Sequence, residues 1–459
     1  MPTVHLRFDQ GTLLLDGHPA LGRLQLPGLL WDPRVRKWRA PAWRHTEIVG
    51  GLRAVGVAAE DAAHPAASPS PHAWLPVQLR PYQQAATLSW DLAGQRGIVV
   101  LPTGSGKTRV AIGVLAATRQ RALCLVPTRA LLAQWRSEIA RAYQGPVGCL
   151  GDGERTLEAV TVATFESAFR LMPRIGREFS LLVIDEVHHF GLGVRDEALE
   201  MSVASRRLGL TATPPEGPAL PRLGEIVGPV VFKLGVNDLA GTWLADFELV
   251  VLRLGLNPEE RRRYAADHRV FSEVNRAFRR LHPHGTWQEF VSAASRSAEG
   301  RRALAAWRRT RRMTGFTQAK AEAVRELLAL HRSARVLVFT ADNDAAYAVA
   351  REHLVMPITC EVSRRERERA LDAFRCGGLR VLVSSRVLNE GIDVPDADVA
   401  IIVGGTQGQR EHVQRIGRLL RPRPGKRAVV YELVTLATAE ARHAAERRRG
   451  LAAARVVSP

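Results

Sequence analysis

The run GIVVLPTGSGKTRVAIGVLAA, from Gly97 to Ala117, constrains this chain more than any other stretch. Four apolar residues of a buried strand lead into a loop of small residues, and an apolar-periodic helix starts at once after Gly106-Lys107-Thr108. Thr103, Gly104, Ser105 and Gly106 let backbone N–H groups close around phosphate oxygens, and the helix N-terminus adds its positive end. Lys107 would reach the terminal phosphates, and the Thr108 hydroxyl is placed to ligate Mg²⁺. The expected ligands are ATP and Mg²⁺. Seventy-eight residues after Lys107 a second buried strand, LLVIDEVHH, delivers two acids. Asp185 would hold Mg²⁺, and Glu186 would orient or deprotonate the attacking water. His188 and His189 follow with no further ligands at zinc spacing, so they read as couplers of nucleotide state rather than as metal ligands.

Around these motifs, short apolar runs alternate with amphipathic stretches, the pattern of a parallel α/β sheet. GIVVL, ALCLV, VTVAT, LLVID and RLGLTA form one set; RVLVFT, RVLVSS, VAIIV and AVVYEL form another. Two parallel-sheet lobes are expected, at residues 74–245 and 316–459. Between them, residues 257–315 read as a helical insertion with fourteen Arg against six acids. The first 61 residues, opening with a hairpin VHLRF-DQG-TLLL, form a small α+β module, and 62–73, which begins AAHPAASPSP, forms a linker.

The chain has 459 residues and a net charge of +19, which favours a polyanionic partner. The charge is carried almost wholly by Arg, with only five Lys, so it is a general trait of the sequence as well as a local signal. Four scattered Cys without a CxxC pair indicate neither a zinc site nor a disulfide framework. No stretch approaches eighteen uninterrupted apolar residues and MPTVHLRFDQ lacks an apolar core, which argues against a spanning segment or signal peptide, and a cytoplasmic protein is expected.

The ordered series LRPYQQ, LPTGSGKT, VPTRALLAQW, ATFES, DEVHH, TATP, NEGIDVP and QRIGRLLR, over residues 79–421, resembles the motif set of superfamily-two helicases. The segment LLWDPRVRKWRAPAWRHTEIV is similar to the damage-recognition module of the XPB-type branch. The resemblance implies two RecA-like lobes, a thumb-like insertion, and an ATP-dependent DNA helicase or translocase, 3′ to 5′ and associated with repair. It assigns adenine recognition to Gln83 and Arg80. Thr211 and Thr213 would couple hydrolysis to movement, and Gly391 and Asp393 would join both ligands. It makes Arg418 and Arg421, three apart on one helix face, arginine fingers with Gln414 nearby. Thr128-Arg129 and Thr164-Phe165 correspond to its motifs for the nucleic-acid backbone. A single-stranded or forked DNA partner is implied, as is pairing with a nuclease; the oligomeric state is unspecified. In the N-terminal module, Arg34, Arg36, Lys37 and Arg39 interleave with Trp31, Trp38 and Trp43, so either a strand-binding surface or a Trp-rich core fits. An RNA helicase and a non-unwinding translocase of a restriction or defence assembly are the alternative readings. One departure bears on them: TATPPEGPALPRLG lacks the family's Arg-Glu-Asp triplet, and the RDE at 195–197 precedes TATP in another order.

Overall fold

The computed structural model describes residues 3–63, 71–213, 215, 217–385, 397–404, 427–447 and 455–457. It divides into two compact units, Met1–Gly235 and Val236–Pro459.

The first unit opens with a small module. Strands β1 (Val4–Asp9) and β2 (Thr12–Asp16) pair antiparallel, and β3 (Leu30–Asp32), β4 (Lys37–Pro41) and β5 (Ala59–Asp61) complete a sheet of order β3-β4-β2-β1-β5, with helix α1 (His45–Ala54) between β4 and β5. Its core gathers Leu6, Leu13, Leu15, Ile48 and Leu52 and also takes in Val203. The module is therefore packed onto the rest of this unit. Gly11 lies against the Met201 side chain, and Arg222 stacks 5.8 Å from the Trp43 ring.

Next come α2 (Pro81–Leu92), β6 (Arg96–Val100), α3 (Lys107–Thr118), β7 (Ala122–Val126), α4 (Arg129–Ala140), β8 (Val147–Gly151), β9 (Glu154–Thr156) and β10 (Val160–Thr164). They continue as α5 (Phe165–Ile175), β11 (Leu181–Ile184), α6 (Glu197–Glu200), β12 (Arg206–Thr211), α7 (Ala219–Ile226) and β13 (Val230–Lys233). The sheet order is β13-β6-β12-β11-β7-β10-β8-β9, parallel throughout except for the β8–β9 hairpin. Its central strands are buried along their whole length, which is why they read as unbroken apolar runs. The segments that follow β6, β7, β10, β11 and β12, with their motifs, leave the carboxyl edge of this sheet, where open α/β sheets bind their ligands.

The second unit starts earlier than the sequence suggested. Residues 236–245, placed above in the first lobe, belong to it: α8 (Val236–Leu239) leads into β14 (Asp246–Leu254), which lies parallel to a strand far along the chain. Three helices follow, α9 (Pro258–Leu281), α10 (Trp287–Ser295) and α11 (Ala298–Gly315), held by a small aromatic core of Phe271, Phe278 and Phe290. Then come α12 (Gln318–Leu330), β15 (Val336–Phe339), α13 (Asn343–His353), β16 (Met356–Ile358), α14 (Arg364–Arg375), β17 (Val381–Ser384), β18 (Val399–Ile402), β19 (Arg427–Thr435), α15 (Ala439–Arg447) and β20 (Arg455–Val457). The sheet order is β16-β17-β15-β18-β19-β14-β20. No helix among the described residues is long and apolar enough to cross a membrane.

Candidate active site

The phosphate loop joins β6 to α3, and its shape is set by glycine. Gly104 and Gly106 take φ of 84° and 80°, the left-handed region that an L side chain enters at a cost. A Cβ on Gly106 would also stand 2.7 Å from Gln83 Nε2. Gln83, buried on α2, donates from Nε2 to the Ser105 carbonyl at 2.9 Å and accepts from the Arg80 N–H at 2.9 Å. The Tyr82 hydroxyl donates to the same Ser105 carbonyl at 2.5 Å. The motif that begins α2 thus braces the phosphate loop from below. Tyr82 is a second brace beside Gln83, with no motif chemistry of its own to mark it in the sequence.

Lys107 opens α3 and donates to the Leu101 carbonyl at 3.3 Å. It also lies near enough to the acid pair just after β11 to bias the charge of both members. Burial raises the Asp185 carboxyl well above its usual range, the neighbouring Glu186 charge raises it further, and Lys107 opposes both. Burial would raise Glu186 too, but Lys107, His188 and His189 outweigh it and hold Glu186 low. Glu186 itself sits at φ 48°, ψ 50°, an uncommon backbone state for a non-glycine residue at the end of a strand.

Each acid is held from a different direction. Asp185 accepts from the Trp135 indole N–H at 3.0 Å on Oδ2 and from the Glu186 N–H at 3.0 Å on Oδ1. Glu186 faces His188, whose Nδ1 stands 3.3 Å from its Oε2 and 3.0 Å from the Thr211 hydroxyl. Thr211 in turn donates to the Thr213 carbonyl at 2.8 Å. The rings of His188 and His189 stack at 4.5 Å, and Phe165 meets His189 edge-on at 5.8 Å. His188, Thr211 and Thr213 therefore do form one connected chain, and His189 joins its aromatic side.

The motif VPTRALLAQW also carries Trp135. Its signal was faint but physical: Leu132, Trp135 and Ile139 form the buried face of α4, and a buried indole N–H needs an acceptor. Helix α4 follows β7, and β7 pairs with the strand that carries Asp185.

The residues present fit a nucleotide with its cation. The Thr103 Oγ1 and His188 Nε2 atoms are buried without a hydrogen-bond partner, and the loop carries the small residues that a phosphate cradle needs. Thr108 in the first turn of α3 and Asp185 supply the oxygens a hard cation takes. Among the described residues no group of three or more His, Cys, Asp or Glu is placed to hold a metal on its own.

The nucleic-acid candidates are placed differently from one another. Thr128 caps α4 by accepting from the Leu131 N–H, and exposed Arg129 pairs with Asp152 at 3.4 Å. Thr164 caps α5 and donates to Ser167 Oγ at 2.9 Å. Phe165 is buried and packs on Phe190 at 4.8 Å, so its ring serves the core of the first unit. In the N-terminal module, Asp32 takes both Arg34 and Arg39, and Lys37 pairs with Asp16. Trp43 is buried, Trp38 is half-buried in the module's core, and Trp31 is half-exposed. Gly391, Asp393, Gln414, Arg418 and Arg421 lie outside the described residues.

Comparison with known proteins agrees with this geometry. Residues 76–216 match the family model of the type III restriction enzyme res subunit, 319–423 that of the helicase conserved C-terminal domain, and 6–63 that of the xeroderma pigmentosum group B helicase damage recognition domain. A DNA 3′-5′ translocase XPB2 of Sulfurisphaera tokodaii is 34% identical over 447 residues, 97% of this chain and 100% of that one. The chain belongs to the XPB family of helicases. To the DNA 3′-5′ helicase XPB of Mycobacterium tuberculosis this XPB-family chain is 31% identical across 82% of its length, spanning 64% of that protein. In fold it is similar to the Hef helicase domain of Pyrococcus furiosus, with a TM-score of 0.53 and 18% identity over 81% of this chain and 98% of that one. Dbp5 of S. cerevisiae, bound to RNA and ADP BeF3, gives a TM-score of 0.56 at 17% identity over 82% and 89%. These two likenesses speak for the helicase fold alone. ATP binding follows from the family.

Proposed function

We propose that this chain is a motor that hydrolyses ATP to move 3′ to 5′ along DNA, as a helicase or translocase serving DNA repair. One observation carries the reading: a single sheet edge joins the phosphate loop at Lys107, the acid pair Asp185–Glu186, and the His188–Thr211 contact that links the acid pair to the next strand. Lys107 and the loop N–H groups would bind the phosphates, and Thr108 and Asp185 would hold Mg²⁺. The cation, when bound, neutralises charge on the phosphates. Glu186, kept ionised by Lys107 and His188, is fit to orient water and accept its proton. Gln83 and Arg80 are assigned to adenine, and Arg418 and Arg421, with Gln414, to charge on the transferred phosphoryl group, by resemblance. Arg129 and the N–H groups that start α4 and α5 would take phosphates of a strand without reading its sequence.

Movement without strand separation is the second reading, and one observation favours it. The triplet expected after Thr213 is absent, and Asp196 of the earlier RDE run is buried and accepts from the Gly191 N–H at 2.7 Å, so that residue serves its own loop. ATP hydrolysis should be measured with single-stranded DNA, forked duplex or RNA added, beside strand displacement on the fork and with Lys107→Ala as control. DNA-stimulated turnover with fork opening supports the helicase, and stimulation without opening supports the translocase. Stimulation by RNA alone, or turnover surviving in Lys107→Ala, would overturn the assignment. A nuclease partner remains a separate proposal, tested by co-purification with DNA cleavage as the readout.

A further inference from the structure

The Trp135 indole is the unusual partner of this site. It is 1% exposed, it donates its N–H to Oδ2 of the acid that would hold the cation, and it comes from a helix outside the phosphate-binding loops. Seven residues earlier the same helix begins at the Thr128 cap, next to exposed Arg129. Two turns of rigid helix, with Leu132 buried between them, thus connect the loop at 127–130 to the carboxylate. Its sides are tied down as well: Arg129 pairs with Asp152, and Arg136 pairs with Glu154 at 2.8 Å, both on the β8–β9 hairpin. A strand engaging Arg129 would compete with Asp152 for the guanidinium, and any shift of α4 arrives at Asp185 through a single directional bond. Oδ1 is held separately by the Glu186 N–H, so the Trp135 bond sets where Oδ2 points.

We infer that Trp135 is a positioning residue that makes the affinity of Asp185 for its cation depend on nucleic acid bound at the start of α4. This contact is a second arm, distinct from the His188–Thr211 arm on the other side of the acid pair. The inference rests on the functional reading above, through the roles given there to Asp185 and Arg129.

The test is equilibrium binding of a fluorescent ADP derivative across a Mg²⁺ titration, with and without single-stranded DNA. It compares wild type, Trp135→Phe and a chain with benzothienylalanine at position 135, which keeps the ring's shape and replaces N–H by sulfur. Loss of a hydrogen bond to a charged acceptor should raise the half-saturating Mg²⁺ concentration about ten-fold in both variants. DNA should shift the wild-type titration and leave both variants where they are. A variant titration that coincides with wild type, or a DNA shift that persists undiminished without the N–H, overturns the inference. Because benzothienylalanine fills the same space, a folding defect in Trp135→Phe alone does not obscure the answer. Wild-type ATP turnover that ignores DNA would instead overturn the functional reading itself.

Discussion

His188 bridges the two halves of the catalytic edge: its Nδ1 lies 3.0 Å from the Thr211 hydroxyl and 3.3 Å from Glu186 Oε2. A change in charge at Glu186 therefore alters a hydrogen bond on β12 directly, and β12 lies beside the strand of the acid pair. Thr211→Val keeps the side chain's shape and removes the hydroxyl. ATP turnover is expected to fall by no more than about five-fold, the scale of one neutral hydrogen bond. Distance moved per ATP should fall further, because the variant hydrolyses without passing the event to the next strand. Turnover and triplex displacement on the same preparation check this, and equal losses in both would count against the bridge.

Gly106 offers a test of the loop independent of the motor cycle. At φ 80° an alanine is strained, and its Cβ would meet Gln83 Nε2 at 2.7 Å. Gly94 has a similar φ of 73° but nothing within 4 Å of a built Cβ. Both Gly→Ala variants should lose about 1–2 kcal/mol of stability from backbone strain. Only Gly106→Ala should also weaken nucleotide binding, because only there must the brace from α2 move. Thermal unfolding paired with fluorescent-nucleotide titration separates the two effects.

What the sequence disclosed and what it hid follow one physical division. Buried parallel strands such as β7 and β10 have no polar face, so their apolar runs stand out. The phosphate loop and acid pair are equally plain, because their chemistry needs particular residues close together in sequence. Contacts made across the chain leave no such trace. Trp135 reaches Asp185 over fifty residues, and β14, whose DFELVVLRL lies beside the insertion, finds its partner β19 only near the end of the second unit. Lys37 and Arg39 looked available for phosphates because their Asp partners lie on other strands: Asp16 on β2 for Lys37, Asp9 on β1 and Asp32 on β3 for Arg39. Likewise Phe165 sits in a motif loop, but its ring turns into the core.

Lys320 is another contact of the hidden kind. Its ammonium is fully enclosed in the second unit and donates to both oxygens of Glu440, at 2.8 and 2.9 Å, and to the Thr314 carbonyl at 2.8 Å. Glu440 also accepts from the Thr435 N–H at 3.0 Å, so the pair joins α12, α15 and the end of β19. Removing one partner leaves the other charge buried. Lys320→Met should therefore cost about 3–5 kcal/mol, and Lys320→Met with Glu440→Leu should cost less than either single change. Denaturant unfolding of the four chains checks the order, and additive losses would show that the two charges do not depend on each other.

A pH response of the second unit follows from His331. Its Nε2 stands 2.9 Å from the Tyr431 hydroxyl, and burial holds its pKa below the ordinary 6.5, while burial and the Glu248 charge push Tyr431 above 10.0. The unfolded chain then binds a proton at this position more readily than the folded one. Stability is complete above pH 6.5 and is lost as the pH falls through the interval between 6.5 and the depressed folded value. Tyr431 stays neutral throughout that interval, so its hydroxyl can donate to the unprotonated ring but gains no charge to hold the imidazolium. His331→Gln keeps a polar partner for Tyr431 and cannot titrate. Melting temperatures of the two chains should run parallel above neutrality and converge or cross as the pH falls below 6.5. The remaining acid sensitivity belongs to groups common to both, among them His353, which burial also lowers. A constant difference between the two chains over that range would mean that His331 takes up its proton equally well folded and unfolded.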